Sequence, residues 1–515
     1  MGNVVPVDEF TGEWYPGYKP EHFDFPYWVD APKPFQPGDE NAFWFLDFHW
    51  SRGLTPLAAT LWSADGYCWG TQSASEKLPL PPGRGITCRF AGTHLYGSPI
   101  PESDPREIGA RANRLGTNLP HFLQNYRAIW EAGRDELEAT WDYFQGIDLA
   151  AVPTGDLGGL IQQGRRYHKR AMEIHFDVMY PMLVNFLGFY GACAELGIDT
   201  NLVGKFLQGE DTKIMELDRE LYGLAVKARN AGLAQVFADN EPGDLRAALS
   251  AHGGSASQWL TDFDDFLAVY GHRSDATCDV GLPSWIEDNS NAFGNIKTFL
   301  LKEDDHDFDA AARNALEERD EAIEIARSGL TKEEQAVFDG GLAANQAANF
   351  PWWQDDHNFY IDLKVMLPLR RTCQELARRV DADHKDDMLY LFWPEVLDVA
   401  AGKPYAGVQV GDVDSHTRIS LGASRCSSSE LCSTRAMPVA TPRAAATPLS
   451  VVWLAASGFC TARSEPGLMP KISMRTGSST ASGTAPSTLG IALRLPCQWS
   501  KYCRRSATRL LSSPA

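Results

Sequence analysis

Residues 103–144 read SDPREIGARANRLGTNLPHFLQNYRAIWEAGRDELEATWDYF, and this stretch decides the fold class. It opens with a helix start: Ser103 or Asp104 to cap, Pro105 in the first turn, and an acid, Glu107, close behind. Leu123, Tyr126, Trp130, Leu137, Trp141 and Phe144 then recur at spacings of three, four or seven, which puts them on one face. A stripe this apolar has to pack against other helices, so the chain is expected to be mainly α. A second long helix is predicted from about Asp156 to Leu196, with Gly197 as its C-cap. Further helices are predicted near 212–231, 256–270, 307–328, 332–348, 355–380 and 385–401. Glu317, Glu321 and Glu324 read as a solvated helix face, and no period of 20–50 residues signals a solenoid. Residues 103–405 are therefore expected to form one helical module.

Outward from this module the sequence changes character on both sides. Residues 1–102 are rich in proline and aromatics, as in EFTGEWYPGYKPEHFDFPYW, and prolines this dense argue against long helices. ITCRFAGTHLYGSPI alternates enough for strand, while FWFLDFHWSRGLTPL is ambiguous. The expectation is a small, irregular, partly β lobe. Residues 406–515 carry no predicted fold. From 407 onward four acids face twelve Lys and Arg, a net +8, whereas the first 406 residues carry −28. Ser, Thr and Arg make up 39 of those last 109 residues, with no sustained period. The tail reads either as disordered or as a frame translated out of register. Trp453, Trp499 and five cysteines favour the second, since disordered segments are poor in both.

A net charge of −20 over 515 residues argues against a nucleic-acid binder, whose affinity rests on cationic patches. Ten dilute cysteines without a CxxC pair suggest neither a secreted disulfide framework nor a zinc site. No apolar stretch is long enough for a membrane span, and no leader is visible at Met1–Phe10, so a cytoplasmic location is expected. There is no phosphate loop, no GxSxG elbow and no HExxH. Only Glu303 to His306 has the Glu-x-x-His spacing of helical di-iron sites, in an acidic linker, so no metal is assigned.

Three clusters could carry chemistry. His49 and Trp50, with Asp47, lie in the aromatic lobe, where such residues line ligand pockets; His49 is equally read as a hydrogen-bonded structural histidine. His272 and Arg273 follow Gly271 at the end of a predicted helix. There they suit a phosphate or carboxylate, or else cap the helix by satisfying its last carbonyls. Asp355, Asp356, His357 and Asp362 form the third, with Asp355, Asn358 and Asp362 sharing one helical stripe. Crowded carboxylates call for a cation or a substrate hydroxyl, or they simply open a helix, with Arg370 and Arg371 solvated beyond them.

YGHRSDATCDVGLPSWIED resembles the step G-H-R-x-x-x-E-x-D-L-x-x-P-x-W of the phosphoenolpyruvate-utilising enzymes, nearest to rifampicin phosphotransferase and phenylphosphate synthase. FWFLDFHWSRGLTPL resembles the opening of their acceptor module, and DDHNFYIDLKVMLPLRR its end, so the likeness covers about residues 40–402. The resemblance implies an acceptor-substrate module within an ATP-dependent, dikinase-like phosphotransferase. In that scheme an ATP-grasp domain phosphorylates a histidine on a mobile domain, which passes the phosphate to an alcohol or phenol. It implies that His272 and Arg273 orient the acceptor or stabilise the phosphate. Ser274 stands where the family has Gly, and Thr277 where it has Glu, which puts a carboxylate base at that point in doubt. No cofactor is expected on this chain. ATP and magnesium are expected on a separate ATP-grasp subunit, and the mobile histidine domain on a partner, so the chain is expected to be inactive alone. His416, in DVDSHTRIS, lacks the preceding glycines and following domain of a phosphocarrier. The alternatives are a non-catalytic helical module that binds an aromatic ligand or a partner protein, and a metal enzyme built on the third cluster.

Overall fold

The computed structural model describes residues 32–47, 53–78, 83–91, 93–274, 279–302, 307–361 and 364–405. His49, Trp50, Asp362, the Glu303–His306 spacing and the tail from 406 lie outside the described residues. The first elements build a small antiparallel sheet. Strands β1 (Phe45–Leu46), β2 (Gly83–Ala91) and β3 (His94–Pro101) lie in the order β1-β3-β2. The alternating stretch is a strand pair, with Arg89 opposite Tyr96 and Ala91 opposite His94.

The lobe also holds a helical run that proline density does not predict. It comprises α1 (Pro56–Leu61), a wider π-wound segment (Trp62–Thr71) and α2 (Gln72–Lys77). Pro56 sits in the first turn, where a missing N–H costs nothing, and the Thr55 hydroxyl accepts from the Ala58 amide at 3.4 Å.

Two long helices form the spine, α3 (Pro105–Gln145) and α4 (Leu157–Glu195). The start of α3 is as expected: Asp104 caps by accepting from the Arg106 amide at 2.9 Å, and Pro105 follows. Its buried stripe is Phe122, Tyr126, Trp130, Gly133 and Leu137; Leu123, Trp141 and Phe144 are half-buried. The end of α4 also matches. Gly197 has φ 73°, and the Ile198 amide reaches back to the Cys193 carbonyl at 2.9 Å. Apolar on most faces, α4 packs on the π segment, on α2 and on α3.

Helices α5 (Lys213–Asn230), α6 (Ala234–Asp239), α7 (Leu245–His252), α8 (Ser255–Tyr270) and α9 (Ser290–Leu301) enclose a second core. Trp259 and Phe263 stack in it with centroids 5.5 Å apart, against Phe237 and Phe293. Each such ring contributes about 1.5–3 kcal/mol by burial, which holds the end of α8 rigid. Helix α10 (Phe308–Ser328) buries only Ala322 and Ala326, leaving Glu317, Glu321 and Glu324 exposed. In α11 (Lys332–Ala347), Thr331 and Glu334 close a capping box.

The last helices differ from the expectation. The predicted 355–380 helix is two, α12 (Phe350–Tyr360) and α13 (Leu367–Arg379). Pro368 explains the break: it has no N–H for a continuing helix and belongs in a first turn. Asp355 and Asp356 lie inside α12 and do not open it. Asn349 caps α12, its side chain accepting from the Trp352 amide at 3.1 Å. Likewise 385–401 becomes a 3-10 turn (Asp387–Tyr390) and α14 (Trp393–Ala400), which Pro394 restarts. All these elements belong to one compact unit, and no helix among the described residues is long and apolar enough to cross a membrane.

Candidate functional site

Helix α8 ends at Tyr270, and the Gly271 amide closes it on the Leu267 carbonyl at 2.8 Å. The chain then doubles back. Ser274 bridges antiparallel to Ser284, the Trp285 amide donates to the Arg273 carbonyl at 2.7 Å, and the Ile286 amide donates to the Gly271 carbonyl at 2.9 Å. Near the tip, Asp279 Oδ1 accepts from the Gly281 amide at 2.8 Å. A Cβ on Gly281 would lie 2.5 Å from Thr55 Cγ2, so glycine lets the tip rest against the start of α1.

Arg370 of α13 holds this loop. Its Nε donates to Glu287 Oε2 at 2.9 Å, Nη2 donates to Glu287 Oε1 at 3.0 Å, and Nη1 donates to the Val280 carbonyl at 2.9 Å. Nη2 also reaches Asp386 Oδ1 at 3.1 Å. The residue is 1% exposed, which corrects the expectation that it is solvated. Burial alone would raise the Glu287 carboxyl, but the Arg370 fork outweighs it and holds that group down at about 2. One signal could have found this arginine: Met366, Arg370, Cys373 and Ala377 share a helical face, and the other three are core residues.

Between the loop and the N-terminus of α13 lies a partly open hollow of about 10 Å³, the room of one water-sized group. His272, Ser274, Asp279, Ser284, Met366 and Arg370 are among the residues that line it. His272 is buried, with Nε2 3.3 Å from the Phe359 carbonyl of α12. A carbonyl only accepts, so Nε2 carries the proton in this contact. Burial, reinforced by the Lys364 and Arg273 charges, pushes the imidazole down to about 3. His272 thus brings position rather than charge at neutral pH. Positive charge comes from half-exposed Arg273, whose guanidinium lies 5.8 Å from the Trp285 ring, and from Lys364. The Lys364 ammonium sits 5.1 Å from Phe359 and donates to Glu138 at 2.6 Å.

The third sequence cluster divides. Phe359, at the far end of α12, meets His272, but Asp356 and His357 turn toward the spine. Asp356 accepts from Trp130 Nε1 at 2.6 Å, and His357 stacks on Trp353 at 4.3 Å, with His175 4.7 Å away. Asp355 is half-buried on the same helix. Among the described residues, no group of three or more His, Cys, Asp or Glu converges as a metal-ligand set.

Residues 175–352, which include the loop but not Arg370, match the family described as the rifampicin phosphotransferase fourth domain. Over those residues the chain resembles a module of the phosphoenolpyruvate-utilising enzymes. It is similar to chondramide synthase cmdD of Chondromyces crocatus, 26% identical over 71% of this chain and 9% of that protein. It is also similar to an uncharacterized phosphotransferase, YvkC, of Bacillus subtilis, 26% identical over 46% of this chain and 29% of that protein. The phosphotransferase-like module thus spans under a third of either relative's length. The Gly-His-Arg step, residues 279–286 and helices α5 to α9 lie within the matched residues.

Proposed function

We propose that this module binds an alcohol or phenol and presents its hydroxyl to a phosphohistidine carried on a mobile domain. A separate ATP-grasp subunit, using ATP and magnesium, would charge that histidine. The carrying observation is that residues 271–274 and 279–286, inside the phosphotransferase match, border a hollow beside which Arg370 holds Glu287 and the Val280 carbonyl. Phosphoryl transfer asks an acceptor site for positioning and for positive charge near the equatorial oxygens, more than for covalent chemistry. Arg273 and Lys364 supply charge, and the buried fork supplies rigidity. His272, neutral and fixed by the Phe359 carbonyl, orients the wall of the hollow without competing for the phosphate. Cys68, Cys88, Cys193 and Cys373 are buried thiols, in keeping with a cytoplasmic protein.

The test supplies the donor chemically. The full chain is mixed with phosphoramidate, whose P–N bond stands in for phosphohistidine, and with phenol or benzyl alcohol, and phosphorus NMR follows the ester. The reading expects ester formation above the protein-free rate, reduced about 100-fold in Arg273→Ala. No ester from either acceptor would sink it. Acceptor binding without transfer, unchanged in Arg273→Ala, would favour a non-catalytic binding module.

A further inference from the structure

We propose that Asp279 takes the proton of the acceptor hydroxyl, a role that rests on the phosphotransfer reading above. The carboxylate lines the hollow and is 9% exposed. Its Oδ1 is occupied by the Gly281 amide, and among the described residues no donor reaches Oδ2. The nearby guanidinium of Arg370 is spent on Glu287, Asp386 and the Val280 carbonyl, so it bears on Asp279 by charge and not by a hydrogen bond. A nearly buried carboxylate that lines a hollow, with one oxygen reached by no donor among the described residues, is arranged to accept an O–H.

Burial raises the carboxyl to about 6, against the opposing Gly281 hydrogen bond and the Arg370 charge. A group titrating there is ionised at neutral pH yet basic enough to receive a proton as the oxygen loses it. In the transfer, the acceptor oxygen forms a bond to phosphorus as the donor's P–N bond breaks. The P–N electron pair returns to the donor imidazole, which leaves neutral because its other ring nitrogen already carries a proton. The hydroxyl proton goes to Asp279 Oδ2 and from there to water when the ester departs. Thr277 therefore does not leave the loop without a base, because Asp279 lies on the same loop.

A bland role for Asp279 also exists, since its Oδ1 contact closes a turn. Asp279→Asn separates the two roles: the amide oxygen still accepts from Gly281, but the side chain takes no proton. The first measurement is calorimetric binding of phenol to the full chain at pH 5 and pH 7. The wild type is expected to bind several-fold more tightly at pH 7, and the Asn variant equally at both. Binding that does not change with pH, a change retained in the variant, or no binding of phenol overturns the assignment. The second measurement is ester formation from phosphoramidate, which in the variant is expected to fall roughly 100-fold or more. The acidic limb near pH 6 should vanish from its rate profile. A variant that keeps the wild-type rate and profile also overturns it. If the wild type makes no ester, the phosphotransfer reading falls, while pH-linked phenol binding still reports on Asp279 by itself.

Discussion

Arg370 and Glu287 stand 83 residues apart in the chain, and their side chains meet in a parallel two-bond fork at 2.9 and 3.0 Å. This contact joins α13 to the loop that follows α8. Its second arm, from Arg370 to the Val280 carbonyl, fixes the far side of the same loop. The buried guanidinium thus holds Val280, which lines the hollow, and Glu287, just beyond the loop.

Removing one partner alone should therefore be expensive. Arg370→Met leaves the mostly buried Glu287 without its fork, and a loss of roughly 3–5 kcal/mol is expected. The double variant with Glu287→Leu should recover much of that loss, since no buried charge is left behind. Urea unfolding of the four proteins of the cycle decides it. An Arg370→Met variant within about 0.5 kcal/mol of wild type would show that the fork does not hold the loop.

The pH dependence of stability has two opposing parts in this site. The His272 imidazole is held at about 3, against an ordinary value of 6.5. Its unfolded form therefore takes up a proton that the folded form refuses, and stability falls as pH drops from 6.5 toward 3, by up to about 1.4 kcal/mol per pH unit. Asp279, raised to about 6, acts in the opposite sense, because its burial penalty is relieved as pH falls through 6 toward 3.8. Replacing His272 with Gln should flatten the loss between pH 6.5 and 4, measured by denaturant unfolding at each pH. An unchanged slope would mean that the imidazole is not held neutral.

The same reasoning makes Asp279 a residue that costs stability. At pH 7 it is ionised in a buried setting, so Asp279→Asn should stabilise the fold by on the order of 1–3 kcal/mol while it removes transfer. Thermal unfolding at pH 7 and pH 5 checks this. The gain should be larger at pH 7, and a destabilised variant at both values would instead mark Asp279 as a purely structural turn residue.

Helices were legible where caps and stripes agreed. Asp104–Pro105 and Gly197 mark ends by local chemistry alone, and Trp130 and Leu137 sit in the core as their spacing requires. The run from Pro56 to Lys77 was not legible. It is buried nearly along its length, so it shows no polar face, and Lys77 is satisfied only by acids about a hundred residues away. In the candidate site, the Gly-His-Arg step stood out because His and Arg after a helix-ending Gly are chemically conspicuous. Arg370 did not, since an arginine beside a second arginine reads as surface until its carboxylate is known. The neutrality of His272 was not legible either: burial against Phe359 and Trp141 and the nearby Lys364 charge are products of packing, and no local pattern announces them.

A last prediction concerns the pin between the lobe and the spine. Lys77, at the end of α2, is 1% exposed and donates to Glu173 at 2.9 Å and also to Asp177, both on α4. Glu173 is held by Arg170 as well, at 3.1 Å, whereas burial and the neighbouring Glu173 charge raise Asp177 to about 6 despite Lys77. Since that folded value lies above the unfolded 3.8, Asp177 carries its full penalty at pH 7 and loses it as pH falls through 6. Two carboxylates facing one lysine are therefore not equivalent. Lys77→Met should cost about 3–5 kcal/mol, because it leaves Asp177 without Lys77 and Glu173 with Arg170 alone. Glu173→Gln should be costly, since it removes the carboxylate that Lys77 and Arg170 share and leaves Arg170 to Glu136, while Asp177→Asn should be close to neutral at pH 7. Chemical unfolding of the three variants at pH 7 tests the order. Equal losses for Glu173→Gln and Asp177→Asn would show that the two acids share the lysine symmetrically.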